Sequence, residues 1–506
     1  MKGRFEKRIR KAGLVIFGLW LAIGLAGPAA VCAAPEVTDL SISDAVEDQL
    51  RLDHAFASDL VDVTTQDGVV TLSGSVDNIL AKERAARIAA KVKGVRAVVN
   101  TIAVVPPILR SDSEIEDDVK AALRLDPAAE SYEVDVDVQD NVVTLTGRVD
   151  SWQERTLCEK VAKGVQGVMG LENKIDVLYK VDRSDEEIQK DVEQALRWDV
   201  LVDHALIEVD VVNGRVVLSG TVGSLAEKGR ATADAYVANV QGVDAEGLEV
   251  RLWARDDDLR GDKYKDLTDG DIRAAVEDAL FYDPRVAAFN VMPEVTNGVV
   301  TLRGTVDNLK AKKAAARTAR NTVGVLQVAN RLKVRPETPV EAPALEDRIR
   351  ASFERDPVVE SSEITIDVQN GVAELFGSVD TAFERSWAED LAARVNGVIA
   401  VRNYLAVTGY FDPYLYDPYL DDWYAGDAPD YYDPPVTMKS DYTIRQEIEE
   451  EFFWSPFVDG GDIDIEVDNG RATLTGHVDS WAEYSAASDN AFEGGAVVVY
   501  NELEVR

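Results

Sequence analysis

The sequence predicts an α+β protein of six tandem modules, each in the order helix, strand, strand, helix, strand. Three observations predict it. The stretch Val69-Val70-Thr71-Leu72-Ser73-Gly74-Ser75-Val76 returns at 142–149, 215–222, 299–306, 372–379 and 471–478, each time with a glycine in sixth place: Gly74, Gly147, Gly220, Gly304, Gly377 and Gly476. Each copy follows an Asp-Gly, Asn-Gly or Asp-Asn pair that suits a two-residue hairpin turn. Each is also flanked by segments whose apolar residues recur at helical spacing. Self-similarity at a near-constant period marks a tandem array, and 506 residues exceed what one core organises.

The elements of a module follow in order. Ile42, Val46 and Leu50 form one apolar stripe, repeated by Ile115, Val119 and Leu123, by Ile188, Val192 and Leu196, and by Ile272, Val276 and Leu280. Ile349 with Phe353, and Ile444, Ile448 and Phe452, complete the set. Asp-Pro at 126–127, 283–284 and 356–357 stops the helix. An alternating strand follows, clearest in Ile207, Val209 and Val211, and the hairpin turn leads into the glycine strand. There the glycine falls in register with the buried residues. Close approach of a helix to the sheet is the reason expected, with a β-bulge as the alternative.

The second helix opens on Ser151-x-x-Glu154, Ser224-x-x-Glu227, Thr381-x-x-Glu384 and Ser480-x-x-Glu483, which have the form of capping boxes; Asn78 and Asn308 stand in the other two modules. Gly94, Gly167, Gly242, Gly324, Gly397 and Gly494 or Gly495 mark its exit. The last strand carries Asn100, Asn173, Asn330, Asn403 and Asn501 in Asn-x-Ile or Asn-x-Leu, whereas the third module has Glu246-Gly247-Leu248.

The hydrophobic-x-Gly-x-Val strand, the helix after it and the Gly-Val exit resemble the BON domain, named for bacterial osmotically inducible protein Y and nodulation. The resemblance covers all six modules: 37–105, 113–178, 184–252, 268–335, 342–408 and 441–506. It implies two helices packed on one face of a three-stranded mixed sheet. It also implies a non-enzymatic periplasmic protein that binds phospholipid surfaces, linked to osmotic-stress protection and outer-membrane integrity. Six copies depart from the two of the family's best-known members.

The modules pair off. The fourth resembles the first, the fifth the second and the sixth the third: Asp-Pro-Ala-Ala-Glu-Ser at 126–131 matches Asp-Pro-Val-Val-Glu-Ser at 356–361, and Trp198 matches Trp454. The framing glycines are offset by 230, 230 and 256 residues, so a three-module block was duplicated. Two linkers interrupt the array. Residues 253–267 are charged and read as a hinge; 409–440 are rich in Tyr, Asp and Pro and read as an acidic spacer or a recognition arm.

Residues 1–34 read as a signal peptide. Six Lys/Arg among the first eleven residues precede an apolar run from Leu14 to Leu25 that is short for a membrane span, and cleavage after Ala33 or Ala34 fits. A retained N-terminal anchor is the alternative.

The sequence carries no nucleotide-binding loop or nucleophile elbow. His54, His204 and His477 stand at non-equivalent places, and Cys32 and Cys158 cannot build a thiolate site. No catalytic residue, metal or cofactor is therefore expected. The net charge of −38 disfavours nucleic acid as a partner. Only the fourth module is cationic, at +4 against −13 for the sixth. Lys310, Lys313, Arg317 and Arg320 share one face of its second helix, with Lys312 beside them. These five residues are the candidate contact with anionic phospholipid; a face paired with an acidic neighbouring module is the alternative. The partners expected are a phospholipid membrane or an envelope protein.

Overall fold

The computed structural model describes residues 37–53, 60–129, 133–179, 183–255, 263–264, 267–336, 340–408, 439–455, 457–496 and 498–506. The signal peptide with Cys32, His54 and residues 409–438 of the aromatic linker lie outside them. Twelve helices are described, two to a module: α1 (Asp39–Leu52), α2 (Ile79–Lys91), α3 (Asp112–Leu125), α4 (Trp152–Lys163), α5 (Asp185–Trp198), α6 (Leu225–Asp234), α7 (Asp269–Tyr282), α8 (Leu309–Arg320), α9 (Ala342–Arg355), α10 (Ala382–Arg394), α11 (Asp441–Trp454) and α12 (Trp481–Glu493). Each module's sheet has the glycine strand in the middle, antiparallel to the strand before it and parallel to the one after α2, α4, α6, α8, α10 or α12. The parallel pairing follows from the crossover through the second helix. Both helices bury their apolar stripes in the module's single core; in the second module Val119 of α3 and Ala162 of α4 meet Val143 and Leu145 of the sheet.

Local chemistry explains the regularity. At the hairpins Asp67, Asn213, Asn297, Asn370 and Asn469 take φ of 50–53°, followed by glycine at 72–79°, the backbone of a type I′ turn. Asp140 and Asn141 do the same without glycine. The first residue of the leading helix then clasps that turn. Asp39 accepts from the amides of Asp67 (2.8 Å) and Gly68 (2.9 Å), and Asp112, Asp185, Asp269 and Asp441 repeat it. In the fifth module, where this place is Ala342, Glu346 accepts from the amide of Val368 instead. The recurrent asparagine ties the last strand to the second helix: Asn100 Nδ2 donates to the Lys82 carbonyl (2.7 Å) while its Oδ1 accepts from the Ile102 amide. The third module lacks it, and there the strand slips register between Asp244 and Gly247.

Four expectations change. The framing glycines are not spacers for a helix. A Cβ at Gly74 would lie 2.0 Å from the Leu60 carbonyl oxygen, and at Gly147 2.1 Å from that of Glu133, with φ of +108° and +132°. The obstacle is the backbone entering the first strand, and Gly74 is exposed. No bulge intervenes: pairing runs unshifted through Val134–Gly147 to Glu133–Arg148.

The glutamates of the supposed capping boxes reach one residue further back. Glu154, Glu227, Glu384 and Glu483 accept from the amides of Asp150, Gly223, Asp380 and Asp479, which precede the cap. Complete capping boxes open the first helices instead, at Thr38 with Ser41, Ser111 with Glu114, Ser184 with Glu187 and Thr268 with Asp271. In the third module Asn239 (φ +71°), not Gly242, supplies the left-handed helix exit; Gly242 already belongs to the strand. Finally, the described residues of the 253–267 linker, read as a hinge, are tied to other modules; 256–262 and 265–266 lie outside the described residues. Arg255 donates to the Ser455 carbonyl in the sixth module, and buried Lys263 donates to the carbonyls of Asp199 and Val202.

Gly147→Val would add a β-branched side chain at a φ it avoids and drive Cβ into a carbonyl. A loss of about 3 kcal/mol is expected, read as lost amide hydrogen-exchange protection across Glu133–Val149. Protection unchanged from wild type would contradict this account of the glycine.

Candidate functional site

The cationic helix α8 is the place to begin. Its buried face is a row of alanines, Ala311, Ala315 and Ala319 among them, so it packs close to its own sheet. The cations flank that row. Lys310 is only 2 % exposed. Its Nζ donates to Asp390 Oδ1 of α10 at 2.7 Å, and Lys313 donates to Glu389 Oε1 at 2.8 Å. Arg394 holds the other oxygen of Asp390. Burial pushes the Asp390 carboxyl up, but Lys310, Arg394 and Lys313 outweigh it and hold the group well below the usual carboxylate range. Lys310 and Lys313 are therefore ties between the fourth and fifth modules, a correction to their reading as lipid contacts. Lys312, Arg317 and Arg320 are half-buried and form no ion pair among the described residues.

The first and second modules meet through the same faces with different charges. There Lys163 of α4 bridges Glu83 of α2 and Glu159 of its own helix, both at 2.5 Å. Displaced by 230 residues, Glu83 becomes Lys313 and Glu159 becomes Glu389, so the pair forms directly. Apolar contacts follow the same rule: Ile79 and Val104 enter the core of the second module, and Leu309 and partly buried Val334 join that of the fifth.

A second set of groups, all buried but the half-buried Asp283, escaped the sequence reading. The residue that closes each first helix is Asp53, Asp126, Asp199, Asp283, Asp356 or Ser455. Asp-Pro was legible as a stop signal, but not the burial of the carboxylate, which needs a donor. Arg84 serves Asp53 (2.6 Å), Arg230 serves Asp199 (2.8 Å), Thr318 serves Asp283 (2.7 Å) and the Trp387 indole serves Asp356 (2.9 Å). In the second module Leu157 stands where Arg84 and Arg230 stand; the Ala128 amide donates to Asp126, and the side-chain donor comes from elsewhere. Arg285 of the fourth module forks onto both oxygens of Asp126 at 3.1 Å, each partner 5 % exposed. Cys158, beside this site, is buried; burial first, then Asp126 and Glu154, push its thiol up to about 12. It is a packed side chain rather than a nucleophile.

The last module returns to the first. Trp454 of α11 packs into the first module's core, Lys93 lies 3.6 Å above the Phe453 ring, and Gln49 Nε2 donates to Glu451 Oε2 at 3.0 Å. The third and fourth modules meet through the equivalent elements, but by backbone: Asp199 and Thr322 form an antiparallel bridge, and the Val323 amide donates to the Trp198 carbonyl at 2.9 Å. At the first of these junctions Glu451 and Glu493 are both pushed up. Burial is the larger cause for each; Glu493 and then Glu450 add to it for Glu451, while Asn490 and Lys91 oppose it for Glu493.

Of the histidines, His204 is half-buried and lowered to about 4, by burial first and then by Lys263 and Arg197. His477 lies 3.4 Å from Glu504 at the surface. Among the described residues no group of three or more His, Cys, Asp or Glu is placed to hold a metal ion, and no helix is long and apolar enough to cross a membrane.

Two outcomes follow. Lys310→Met removes the direct lysine partner of buried Asp390, leaving Arg394 and the more distant Lys313, and should cost about 3 kcal/mol at neutral pH, measured by urea unfolding. Because the Asp390 carboxyl is depressed, the stability it contributes is present above the free-carboxyl value and is lost only in strong acid. Glu451 and Glu493 act with the opposite sign. Their raised values mean that the folded form keeps protons the unfolded chain has released, so stability falls as pH climbs above about 4.3. Hydrogen exchange in α11 and α12 should speed up between about pH 5 and pH 9 beyond its intrinsic rise, and Glu451→Gln with Glu493→Gln should flatten that change.

The BON domain model matches six times, at residues 38–106, 111–179, 184–251, 268–336, 342–409 and 440–506. Osmotically-inducible protein Y of Escherichia coli (strain K12) is 30% identical over 145 residues, which span 28% of this chain and 72% of that protein. Two solved chains of CdsD, a structural protein of the type III secretion system of Chlamydia trachomatis, align at 17% and 15% identity. They cover 40% and 42% of this chain and 91% and 100% of theirs, each with a TM-score of 0.12. With six matched modules that each fold as two helices on a mixed sheet, the chain belongs to the BON domain family.

Proposed function

We propose that this chain is a non-enzymatic periplasmic protein that binds phospholipid surfaces or other envelope components and supports the envelope under osmotic stress. The observation that carries the reading is its likeness to osmotically-inducible protein Y across 72% of that protein. The basic and apolar N-terminal segment supports export. Lys310 and Lys313 are committed to the fifth module, which leaves Lys312, Arg317 and Arg320 of α8; Arg317 lines a cleft between modules, so Lys312 and Arg320 are the two offered to an anionic headgroup at a membrane surface. A net charge of −38 opposes approach to an anionic surface at long range.

A second reading, a scaffold for envelope proteins, has its own observation. Phe376 and Tyr404 stack at 5.1 Å on adjacent strands of the fifth module with both rings exposed. Aromatic pairs of this kind suit a protein partner.

Sedimentation with anionic vesicles at low and high salt tests the first reading. Binding at low salt should fall on adding salt and on Lys312→Glu with Arg320→Glu. No binding at low salt, or binding indifferent to both changes, overturns it. A changed set of crosslinked partners in cells carrying Phe376→Ser with Tyr404→Ser would support the scaffold instead. Loss of the protein should lower survival after hyperosmotic shock.

A further inference from the structure

The duplicated junctions differ in one respect that bears on binding. Offsets of 256 and 230 residues relate the junction of the third and fourth modules to that of the sixth and first. The former opens, together with the second module, into a cleft of about 820 Å³; the space at the latter is about 40 Å³. Four substitutions contribute to the difference, together with an α6 that ends at Asp234 whereas α12 runs on to Glu493. Ala195, Ala233, Val237 and Ala279 line the open cleft, and their counterparts are Glu451, Asp489, Glu493 and Gln49, which occupy the space at the second junction. The space between equivalent helices can therefore be filled by side chains, and at this junction it is not. A cleft of this size lies in the range that small amphipathic ligands fill.

Its walls say what would fill it. Trp152 and Leu157 of α4, Trp198 of α5, and Phe281 and Tyr282 of α7 supply the apolar lining. Trp152 is held rigid by stacking on Tyr236 at 4.0 Å. The polar groups are largely spoken for: Asp191 pairs with Arg183, Asp199 and Asp234 with Arg230, Asp283 with Thr318, and Arg285 with Asp126. Asp278 stands exposed on the rim. Arg317 of α8 also lines the cleft, half-buried, and forms no ion pair among the described residues. A guanidinium beside aromatic and alanine walls complements one anionic headgroup on an apolar body.

We propose that the cleft between the second, third and fourth modules binds a single-chain amphipathic anion, its carboxylate or phosphate on Arg317 and its apolar body against Trp152, Trp198 and Tyr282. The site takes a dissolved monomer and is separate from any contact of the array with a membrane surface.

Calorimetric titration of the full chain with dodecanoate and with dodecyl phosphate, both below their micelle concentrations, tests it. Dodecanol and inorganic phosphate are the control arms. Saturable binding of one or both anions, with at least tenfold weaker binding of either control, is expected. Preference between the two anions distinguishes a fatty acid from a phosphate headgroup. Arg317→Gln should weaken binding at least tenfold, and Ala233→Asp with Val237→Glu, which copies the filled junction, should abolish it. Should the double variant fail to fold, Arg317→Gln decides. Absence of binding by the wild-type chain, or affinity unchanged by Arg317→Gln, overturns the proposal. Because the probes are monomeric, that result leaves the vesicle experiment untouched, and failure of vesicle binding leaves this site standing.

Discussion

A carboxylate buried at the end of a helix must find a donor, and in this protein that demand organises how the modules meet. Asp53, Asp199 and Asp356, and the half-buried Asp283, find side-chain donors within their own modules. Asp126 has the Ala128 amide but no side-chain donor there, since Leu157 occupies the place that could have supplied one, and Arg285 crosses from the fourth module to reach it. A fully desolvated ion pair of this geometry loses several kcal/mol if one partner is removed. Modules of this size bury too little apolar surface to stand alone comfortably. The array's coherence thus rests on a small number of buried charges as well as on apolar contacts such as Ile79 in the second module's core and Trp454 in the first's.

Duplication of the three-module block supplied matching faces, and divergence then assigned them different work. Where Lys163 mediates between Glu83 and Glu159, the later copy has Lys313 directly on Glu389. The positive charge of the fourth module, conspicuous in so acidic a chain, is partly consumed by this interface. The two junctions that carry Trp198 and Trp454 diverged further. One is packed with Gln49, Glu451 and Glu493, and the burial of its two carboxyls makes it sensitive to pH; the other keeps alanines and an open cleft.

Much of the fold was legible in the sequence, because each signal was local. The hairpin pairs predict φ above zero at both turn positions, and every one of those turns adopts it. The apolar stripes at helical spacing and the framing glycines likewise depend on neighbours within a few residues. What misled was purpose. Gly74 alternates in register with Val70 and Leu72, which points to the core, but the carbonyl that excludes a side chain belongs to a residue fourteen positions earlier and faces it only once the hairpin has closed. The cations of α8 were legible as one face, whereas their partners in α10 stand about eighty residues away, beyond any pattern that spacing can reveal.

By itself, then, the sequence determined the number of modules, the order of their elements, their turns and the kinship of the two halves. All of these follow from backbone preferences and from burial of a periodic apolar face, which act over one or two turns of chain. Only the tertiary structure decided which charged groups are spent between modules and which face a cleft. Burial and pairing are properties of neighbours distant in sequence, so Lys310 and Arg317, seven residues apart on one helix, end in different roles: the first closed within an ion pair, the second on the wall of an open cleft.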